Sequence, residues 1–170
     1  DAKGLLIAAI EDPNPVMFFE HKALYRSENG PTPEGYYSIP IGKARQARRG
    51  EALSIITYGL SVRWALQAAE RLGVDADIVD LRSLVPLDYE AIAESVSRCN
   101  RVLILHEDTL FAGLGGEIAA WIAEHLFEYL DAPVTRSASL DTPVPFAIPL
   151  EQHFFPIQRL EADIQRVLAY

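Results

Sequence analysis

The 170-residue sequence contains a single cysteine, Cys99, and no long apolar run. One cysteine excludes an internal disulfide and a cysteine-rich metal site. A helix that crosses a membrane needs about 20 mostly apolar residues in succession, and the N-terminus carries no secretory pattern. We therefore expect a soluble protein of a reducing compartment, with no membrane partner. Residue 1 is Asp rather than Met, so we also expect a longer parent protein.

Basic residues are scarce as well. The chain has 15 Lys and Arg against 24 Asp and Glu, a formal net charge of −9. This balance repels nucleic acid and anionic membranes, and it favours a basic protein partner. The one basic cluster, Lys43, Arg45, Arg48 and Arg49, contains no interleaved aromatic residues. We interpret it as a solvated strand end and predict no nucleic-acid partner.

Beyond residue 36, short apolar runs alternate with apolar residues spaced three and four apart, the patterns of strands and helices. The predicted strands are Tyr37 to Ala44, Ala52 to Tyr58, Ala76 to Asp80, Val102 to Leu105 and Val134 to Ser139. Pro40 suits an edge position in the first strand. Gly73 and Asp88 provide a helix C-cap and a helix N-cap, and Pro156 suits the start of a final helix. The alternation predicts an α/β fold, a mostly parallel sheet with helices on both faces.

The first 35 residues do not follow this alternation. An apolar helix is predicted over Asp1 to Ile10, and a short buried strand over Val16 to Phe19. The Pro- and Gly-containing stretch Ser27 to Tyr36 has the composition of an exposed linker. A lone helix and a lone strand make a poor domain. We therefore predict two units, residues 1–35 and residues 36–170.

The stretch from Arg101 to Ala120 combines a strand, three ionisable residues and a glycine-rich turn. Val102 to Leu105 leads into His106, Glu107 and Asp108, and Gly113, Gly115 and Gly116 precede a helix predicted from Glu117 to Tyr129. Histidine and carboxylates perform proton transfer, and helix N-termini attract anions. The stretch lacks the GxGxxG spacing, and similar turns also serve packing alone. On pattern, both a candidate active site and a structural turn remain open.

The other histidines and the tryptophans have ordinary explanations. We predict a surface or interface position for His21, a core or interface position for His125 on the apolar face of its helix, and a loop position for His153. Core packing is the default for Trp64 and Trp121, with a subunit interface as the alternative. No spacing shows the two or three converging ligands that a metal site needs.

Seven blocks, in order along the chain, resemble one family. They are FFEHKALYR (Phe18 to Arg26), PEGYYSIPIGKA (Pro33 to Ala44), TYG (Thr57 to Gly59), DLRSLVPLD (Asp80 to Asp88), HED (His106 to Asp108), GGEIAA (Gly115 to Ala120) and DTPVPFA (Asp141 to Ala147). The family is the beta subunit of the thiamine-diphosphate-dependent decarboxylase component of 2-oxo acid dehydrogenase complexes. The blocks favour the branched-chain type, with pyruvate and acetoin enzymes as alternatives.

The resemblance implies a fold and a division of the chain. Residues 1–35 would be the tail of a pyrimidine-binding domain plus a linker, and residues 36–170 a transketolase C-terminal-type domain. That domain is a Rossmann-like three-layer α/β/α sandwich. Its five-stranded, mostly parallel sheet has one antiparallel edge strand.

The resemblance also implies that the catalytic groups lie outside this chain. In the family, the beta-subunit glutamate and histidine of the active site precede the segment that Asp1 to Leu6 resembles, and the alpha subunit binds the diphosphate and magnesium. We therefore predict no catalytic, cofactor-binding or metal-binding residue here, and no binding of thiamine diphosphate or magnesium by this chain. His106 and Glu107 would then have structural or interface roles.

The implied function is oxidative decarboxylation of branched-chain 2-oxo acids with acyl transfer to lipoyl groups. The implied partners are the alpha subunit, a second beta subunit about a twofold axis, and the basic subunit-binding domain of the acyltransferase core. The implied location is the cytoplasm of a bacterium or the mitochondrial matrix of a eukaryote. The interface candidates are His106, Glu107, Trp121, Glu161, Asp163 and Tyr170. Two other classes stay open: a free-standing small-molecule or phosphate-binding domain, and a regulatory or structural module with the same fold.

Overall fold

The computed structural model describes residues 1–170. The strands are β1 (Arg45–Arg48), β2 (Leu53–Thr57), β3 (Ala76–Asp80), β4 (Val102–Thr109) and β5 (Thr135–Ser139). The α-helices are α1 (Ala2–Glu11), α2 (Leu24–Ser27), α3 (Ser61–Leu72), α4 (Tyr89–Cys99), α5 (Leu114–His125), α6 (Ile148–Phe154) and α7 (Ile157–Leu168). A short 3-10 helix, Phe127–Tyr129, follows α5.

The five strands form one sheet in the order β1-β3-β2-β4-β5. β1 runs antiparallel to β3, and every other pair is parallel. In register, Ile55 lies beside Ile78 on β3 and Leu103 on β4, and Leu105 lies beside Ser137. The predicted mixed sheet with one antiparallel edge strand is confirmed.

Helices cover both faces of the sheet. On one face, α3 and α7 bury Ala65, Ala68, Leu160 and Ile164 against alternate residues of β2, β3 and β4. On the other face, α4 and α5 bury a second cluster that includes Ile92, Val96, Ile118 and Ile122. Full burial of one such side chain stabilises the fold by about 1.5–3 kcal/mol. The molecule is therefore the predicted three-layer α/β/α sandwich, and its two cores are separated by the sheet.

The predicted helix signals act as expected. Gly73 adopts a left-handed conformation, φ 63°, and Val74 N–H returns to the Ala69 carbonyl at 3.0 Å. The Asp88 side chain accepts a hydrogen bond from Ala91 N–H at 3.3 Å. Cys99 and the inward residues of α7 are buried. These local features were readable from the sequence because each depends on one residue and its neighbours.

The first strand was predicted too early. Tyr37 to Ala44 has no strand; the chain turns at Ile41 and Gly42, and β1 begins at Arg45. Gly42 has φ 83°, which an extended strand does not allow. β1 is a polar edge strand, so the apolar run before it misled the prediction. The basic cluster lies on and beside β1, where Arg45 forms an ion pair with Asp80 at 3.0 Å.

The predicted buried strand at Val16 to Phe19 is also wrong. The segment is extended without strand pairing, and Met17 and Phe19 are 79% and 85% exposed. No strand of the sheet runs beside it, so its backbone groups have no ladder partner. Its apolar pattern is that of a buried strand, but the fold provides no surface that covers it.

The third difference concerns β4 and α5. β4 extends through His106, Glu107 and Asp108 to Thr109, so these residues lie in the strand and not in a loop after it. α5 begins at Leu114 and ends at His125, so Tyr129 lies outside it. The helix α6 was not predicted, and it places His153 in a helix rather than a loop.

The N-terminal segment is attached to the sandwich by polar contacts. Ile39 N–H donates to the Gly4 carbonyl at 3.0 Å, and Asp1 forms ion pairs with Arg45 at 3.1 Å and with Arg82 at 3.3 Å. Glu28 forms an ion pair with Arg63. No residue of α1 belongs to either buried cluster. The segment therefore lies on the domain without contributing to its core.

Candidate functional site

The carboxyl ends of the parallel strands meet along one edge of the sheet, which is where open α/β sheets bind ligands. Thr57 ends β2, Asp80 ends β3, His106 to Thr109 end β4 and Ser139 ends β5. We refer to this region as the carboxyl edge. His106, Glu107 and Asp108, the candidate residues from the sequence, all lie there. They form one site only if their side chains meet.

His106 is completely buried at the carboxyl edge. Its ring lies parallel to that of Tyr58, with centroids 6.5 Å apart, and neither ring nitrogen has a hydrogen-bond partner. A Cβ on Gly113 or Gly115 would overlap the imidazole, so the turn before α5 needs glycine at both positions. Burial lowers the pKa of His106, with Arg136 adding to the effect and Asp108 opposing it. The ring is therefore neutral and enclosed, a packing element of the strand-to-helix turn.

Glu107 faces the other side of the sheet, because neighbouring strand residues point to opposite faces. Its Oε2 lies 2.8 Å from Nε2 of His21, which connects β4 to the N-terminal segment. Its backbone carbonyl accepts a hydrogen bond from the Ser139 hydroxyl at 2.5 Å. Sequence reasoning did not predict the contact between His21 and Glu107, since 86 residues separate them.

Asp108 makes only a local contact: its Oδ1 accepts a hydrogen bond from Thr109 N–H at 2.8 Å. Burial raises the pKa of Tyr58 to about 12, with the negative charges of Asp108 and Glu107 adding to the rise. Tyr58 therefore keeps its proton at neutral pH. The three ionisable residues thus have separate surroundings: one ring enclosed, one carboxylate paired and one carboxylate near solvent. They do not converge on a common reacting atom.

Trp121 lies half-buried on the outer surface of α5. Its ring centroid is 4.6 Å from that of Tyr89 on α4 and 4.8 Å from that of His125. His125 is exposed, and its Nδ1 lies 3.0 Å from the Trp121 carbonyl, so it is not a core histidine. Trp64, in contrast, is 8% exposed and packs against Phe155, which confirms its core position. The three neighbouring rings form a partly exposed aromatic surface.

The three candidates near the C-terminus are on or after α7. Glu161 accepts from Arg71 Nε at 2.6 Å, and Asp163 lies 3.1 Å from Arg166. Tyr170 is 67% exposed. Glu161 and Asp163 therefore already have basic partners within the chain, and a docking partner would have to compete with those partners.

An open cavity of about 270 Å³ lies beside the carboxyl edge, between β5 and α7. Its lining consists of Leu110, Arg136, Ala138, Ser139, Leu140, Asp141, Arg159, Asp163 and Arg166. We refer to it as the arginine cavity. Sequence reasoning missed it, because Arg136 lies on β5 and is 23 or more residues from Arg159 and Arg166 on α7. The available signal was Arg136 itself, a charged residue within a predicted strand.

No group of three or more His, Cys, Asp or Glu side chains is placed to hold a metal ion. No helix has both the length and the apolar character needed to cross a membrane.

The fold and the sequence together define the class. Residues 42–159 match the family model of the transketolase C-terminal domain, and the chain belongs to that family. A solved structure titled "Split gene transketolase, inactive beta4 tetramer" superposes with a TM-score of 0.66 at 26% identity, covering 81% of this chain and 46% of the other.

Curated relatives narrow the comparison to one group of oxidoreductases. The chain is 50% identical to the 2-oxoisovalerate dehydrogenase subunit beta of Bacillus subtilis, covering 91% of this chain and 48% of that protein. It is 43% identical to the subunit of the same name from Pseudomonas aeruginosa, covering 99% and 52%. It is 45% identical to the acetoin:2,6-dichlorophenolindophenol oxidoreductase subunit beta of Bacillus subtilis, covering 92% and 46%. The chain spans about half the length of these relatives.

Proposed function

We propose that this chain is the C-terminal part of the beta subunit of a 2-oxo acid dehydrogenase, the component that decarboxylates 2-oxo acids with thiamine diphosphate. The 50% identity to the Bacillus subtilis 2-oxoisovalerate dehydrogenase beta subunit, over 91% of this chain, carries the proposal. Residues 36–170 are the transketolase C-terminal-type domain, and residues 1–35 are the tail of the pyrimidine-binding domain plus its linker. The polar attachment of α1 to the sandwich is consistent with that division.

The favoured substrates are branched-chain 2-oxo acids, whose acyl groups pass to lipoyl groups. Two relatives with 50% and 43% identity bear the 2-oxoisovalerate name, while an acetoin enzyme subunit is 45% identical and a pyruvate dehydrogenase subunit is 41% identical. Pyruvate or acetoin is therefore the alternative substrate. The enzyme functions in the cytoplasm of a bacterium or in the mitochondrial matrix of a eukaryote.

Within the enzyme, the part played by this chain is assembly. His106 is enclosed and Glu107 is paired, so neither side chain is free to reach a substrate. The catalytic glutamate and histidine and the ligands of thiamine diphosphate and magnesium belong to other parts of the enzyme. The partly exposed aromatic surface around Trp121 is a candidate contact with the alpha subunit or with a second beta subunit. The name "beta4 tetramer" of the structural relative is consistent with contacts between beta subunits.

The acidic C-terminal region is the proposed docking site for the basic subunit-binding domain of the acyltransferase core. The chain carries a net charge of −9, which favours association with a basic domain. Glu161 and Asp163 on α7 and Tyr170, which follows that helix, are the candidate contacts. Because the attraction between an acidic chain and a basic domain is screened by salt, the binding is expected to weaken as ionic strength rises.

The experiment is calorimetric titration of the purified chain with that subunit-binding domain and, separately, with the alpha subunit. Saturable binding of either partner is expected. The variant Glu161→Lys should weaken binding of the subunit-binding domain. The control is Glu124→Lys, an equal charge change at an exposed position of α5 outside any ion pair, which should leave that binding unchanged. Absence of binding to both partners would overturn the assembly role.

A second titration addresses the cofactor. Thiamine diphosphate with magnesium should give no tight binding to this chain, and no 2-oxo acid should be decarboxylated by the chain alone. Tight magnesium-dependent binding of thiamine diphosphate would contradict the assignment of all cofactor ligands to other parts of the enzyme.

A further inference from the structure

The arginine cavity contains two cations that no carboxylate neutralises. Most arginines of the chain have a carboxylate within ion-pair distance; Arg26, Arg48, Arg136 and Arg159 have none. Two of these four lie in the same cavity of about 270 Å³. In a chain with a net charge of −9, carboxylates are plentiful, so this juxtaposition is unusual.

Main-chain carbonyls hold both guanidinium groups in place. Arg136, from β5, donates from Nη1 to the Leu110 carbonyl at 2.9 Å. Arg159, from α7, donates from Nη2 to the Ala138 carbonyl at 2.8 Å. A carbonyl orients a guanidinium without neutralising its charge, and each group has further N–H donors available. The pair is therefore fixed before any ligand arrives, which reduces the entropy lost on binding.

The acidic residues of the cavity offset only part of this charge. Asp163 lies 3.1 Å from Arg166, so those two balance each other. Asp141 accepts from Phe111 N–H at 2.7 Å, which orders the loop after β4. Three arginines against two aspartates leave the cavity with a positive charge. A positive concave site on an acidic protein concentrates anions locally.

We propose that the arginine cavity binds the phosphate group of a small phosphorylated molecule. Guanidinium groups bind oxyanions through paired hydrogen bonds, and a phosphate has enough terminal oxygens to bond two arginines at once, whereas a carboxylate has two. A volume of about 270 Å³ restricts the ligand to a small molecule. The second carboxylate oxygen of Asp141 is an acceptor for a hydroxyl group on the same ligand. This site is additional to the assembly role proposed above.

The test is calorimetric titration of the chain with inorganic phosphate and with glycerol 3-phosphate, at constant ionic strength. Acetate and glycerol are the comparison ligands. Saturable binding of inorganic phosphate is expected, and glycerol 3-phosphate should bind more tightly than inorganic phosphate. Arg136→Gln and Arg159→Gln should each weaken it by about tenfold or more, as expected for loss of a charged hydrogen-bond pair. Arg48→Gln, which removes an equally unpaired arginine on β1, should leave it unchanged.

Three results would overturn the proposal: no saturable phosphate binding, equal weakening by Arg48→Gln, or acetate binding as tightly as phosphate. Arg136→Lys, which keeps the charge but loses the planar group, covers the case in which Arg136→Gln does not fold. Its melting temperature should match the parent, with weaker phosphate binding. Partner association is measured separately, so loss of the phosphate site and loss of the assembly role give different results.

Discussion

The two ends of the central sheet differ in how their buried polar groups are satisfied. Toward the amino end of β3, the buried Asp77 carboxylate accepts from the Ser95 hydroxyl at 2.5 Å and from Arg98 at 2.8 Å. The Gln46 amide and Gly50 N–H bond its other oxygen at 2.9 and 3.1 Å. At the carboxyl edge, the His106 ring has no partner.

Other buried groups show the same contrast. The Ser54 hydroxyl joins the Asp77 network through Ser95 at 2.6 Å, whereas the hydroxyls of Thr57, Ser61 and Ser137 have no partner. A buried polar group without a hydrogen bond costs about 1–3 kcal/mol. The amino end thus contains a hydrogen-bonded buried network, although Arg98 Nε and Arg101 Nε have no partner there. The carboxyl edge bears a cost in stability, and the arginine cavity lies beside it.

The largest expected effect comes from breaking the amino-end network. Asp77→Ala removes four hydrogen bonds and leaves Arg98 without its buried partner, so the free energy of unfolding should fall by about 3–5 kcal/mol. Urea denaturation measures this. The control is Asp75→Ala, an exposed aspartate two residues earlier, which should cost less than about 1 kcal/mol. A loss below 1 kcal/mol for Asp77→Ala would mean that the network contributes little.

The next effect tests the packing at the carboxyl edge. Gly115→Ala places a methyl group into the His106 ring, and such overpacking costs about 1–3 kcal/mol. Gly116→Ala is the matched control, because its added Cβ would meet only Arg136 Nη1, at 3.5 Å. Alanine is the better helix former, so this change should stabilise the protein by roughly 0.5–1 kcal/mol. If both changes stabilise α5 equally, the close approach to His106 is not real.

The third effect is a pH dependence that originates at His106. Its pKa is lowered in the folded protein, so the unfolded chain binds the proton more readily. Stability from this group is complete above the unfolded value of about 6.5 and falls as the pH drops below it, by at most about 1.4 kcal/mol per pH unit. His106→Phe removes the titrating group. Urea denaturation of both proteins at pH 7 and pH 5 should show a smaller loss in the variant, and equal losses would contradict the assignment.

The smallest effect is expected at the N-terminal segment. Removal of residues 1–26 should leave a folded domain that melts cooperatively, because neither buried cluster uses α1. The lost contacts are mainly surface ion pairs such as Asp1 with Arg45, each contributing about 0–1 kcal/mol. Thermal melting followed by circular dichroism checks this. A broad, non-cooperative transition would show that the segment is an integral part of the domain.

Much of the fold was predictable from local pattern. The apolar runs predicted β2 to β5, Gly73 and Asp88 marked helix ends, and the alternation required a parallel sheet with helices on both faces. The errors fell where pattern and surroundings disagree. Val16 to Phe19 has the apolar composition of a buried strand, but no strand lies beside it. β1 was misplaced because it is a polar strand at the edge of the sheet. The candidate site was predicted less well, since His106, Glu107 and Asp108 are neighbours in sequence but face different surroundings.

The sequence by itself determined the α/β class, the strands β2 to β5 and the family resemblance, because these depend on periodicity and on short blocks of residues. Only the tertiary structure decided what the ionisable residues do. It packed the His106 ring against Gly113 and Gly115, paired Glu107 with His21 and exposed His125. It also placed Arg136 and Arg159 in one cavity, neither of them in an ion pair. Each outcome depends on contacts between residues that are distant in the chain, and no local pattern encodes such contacts.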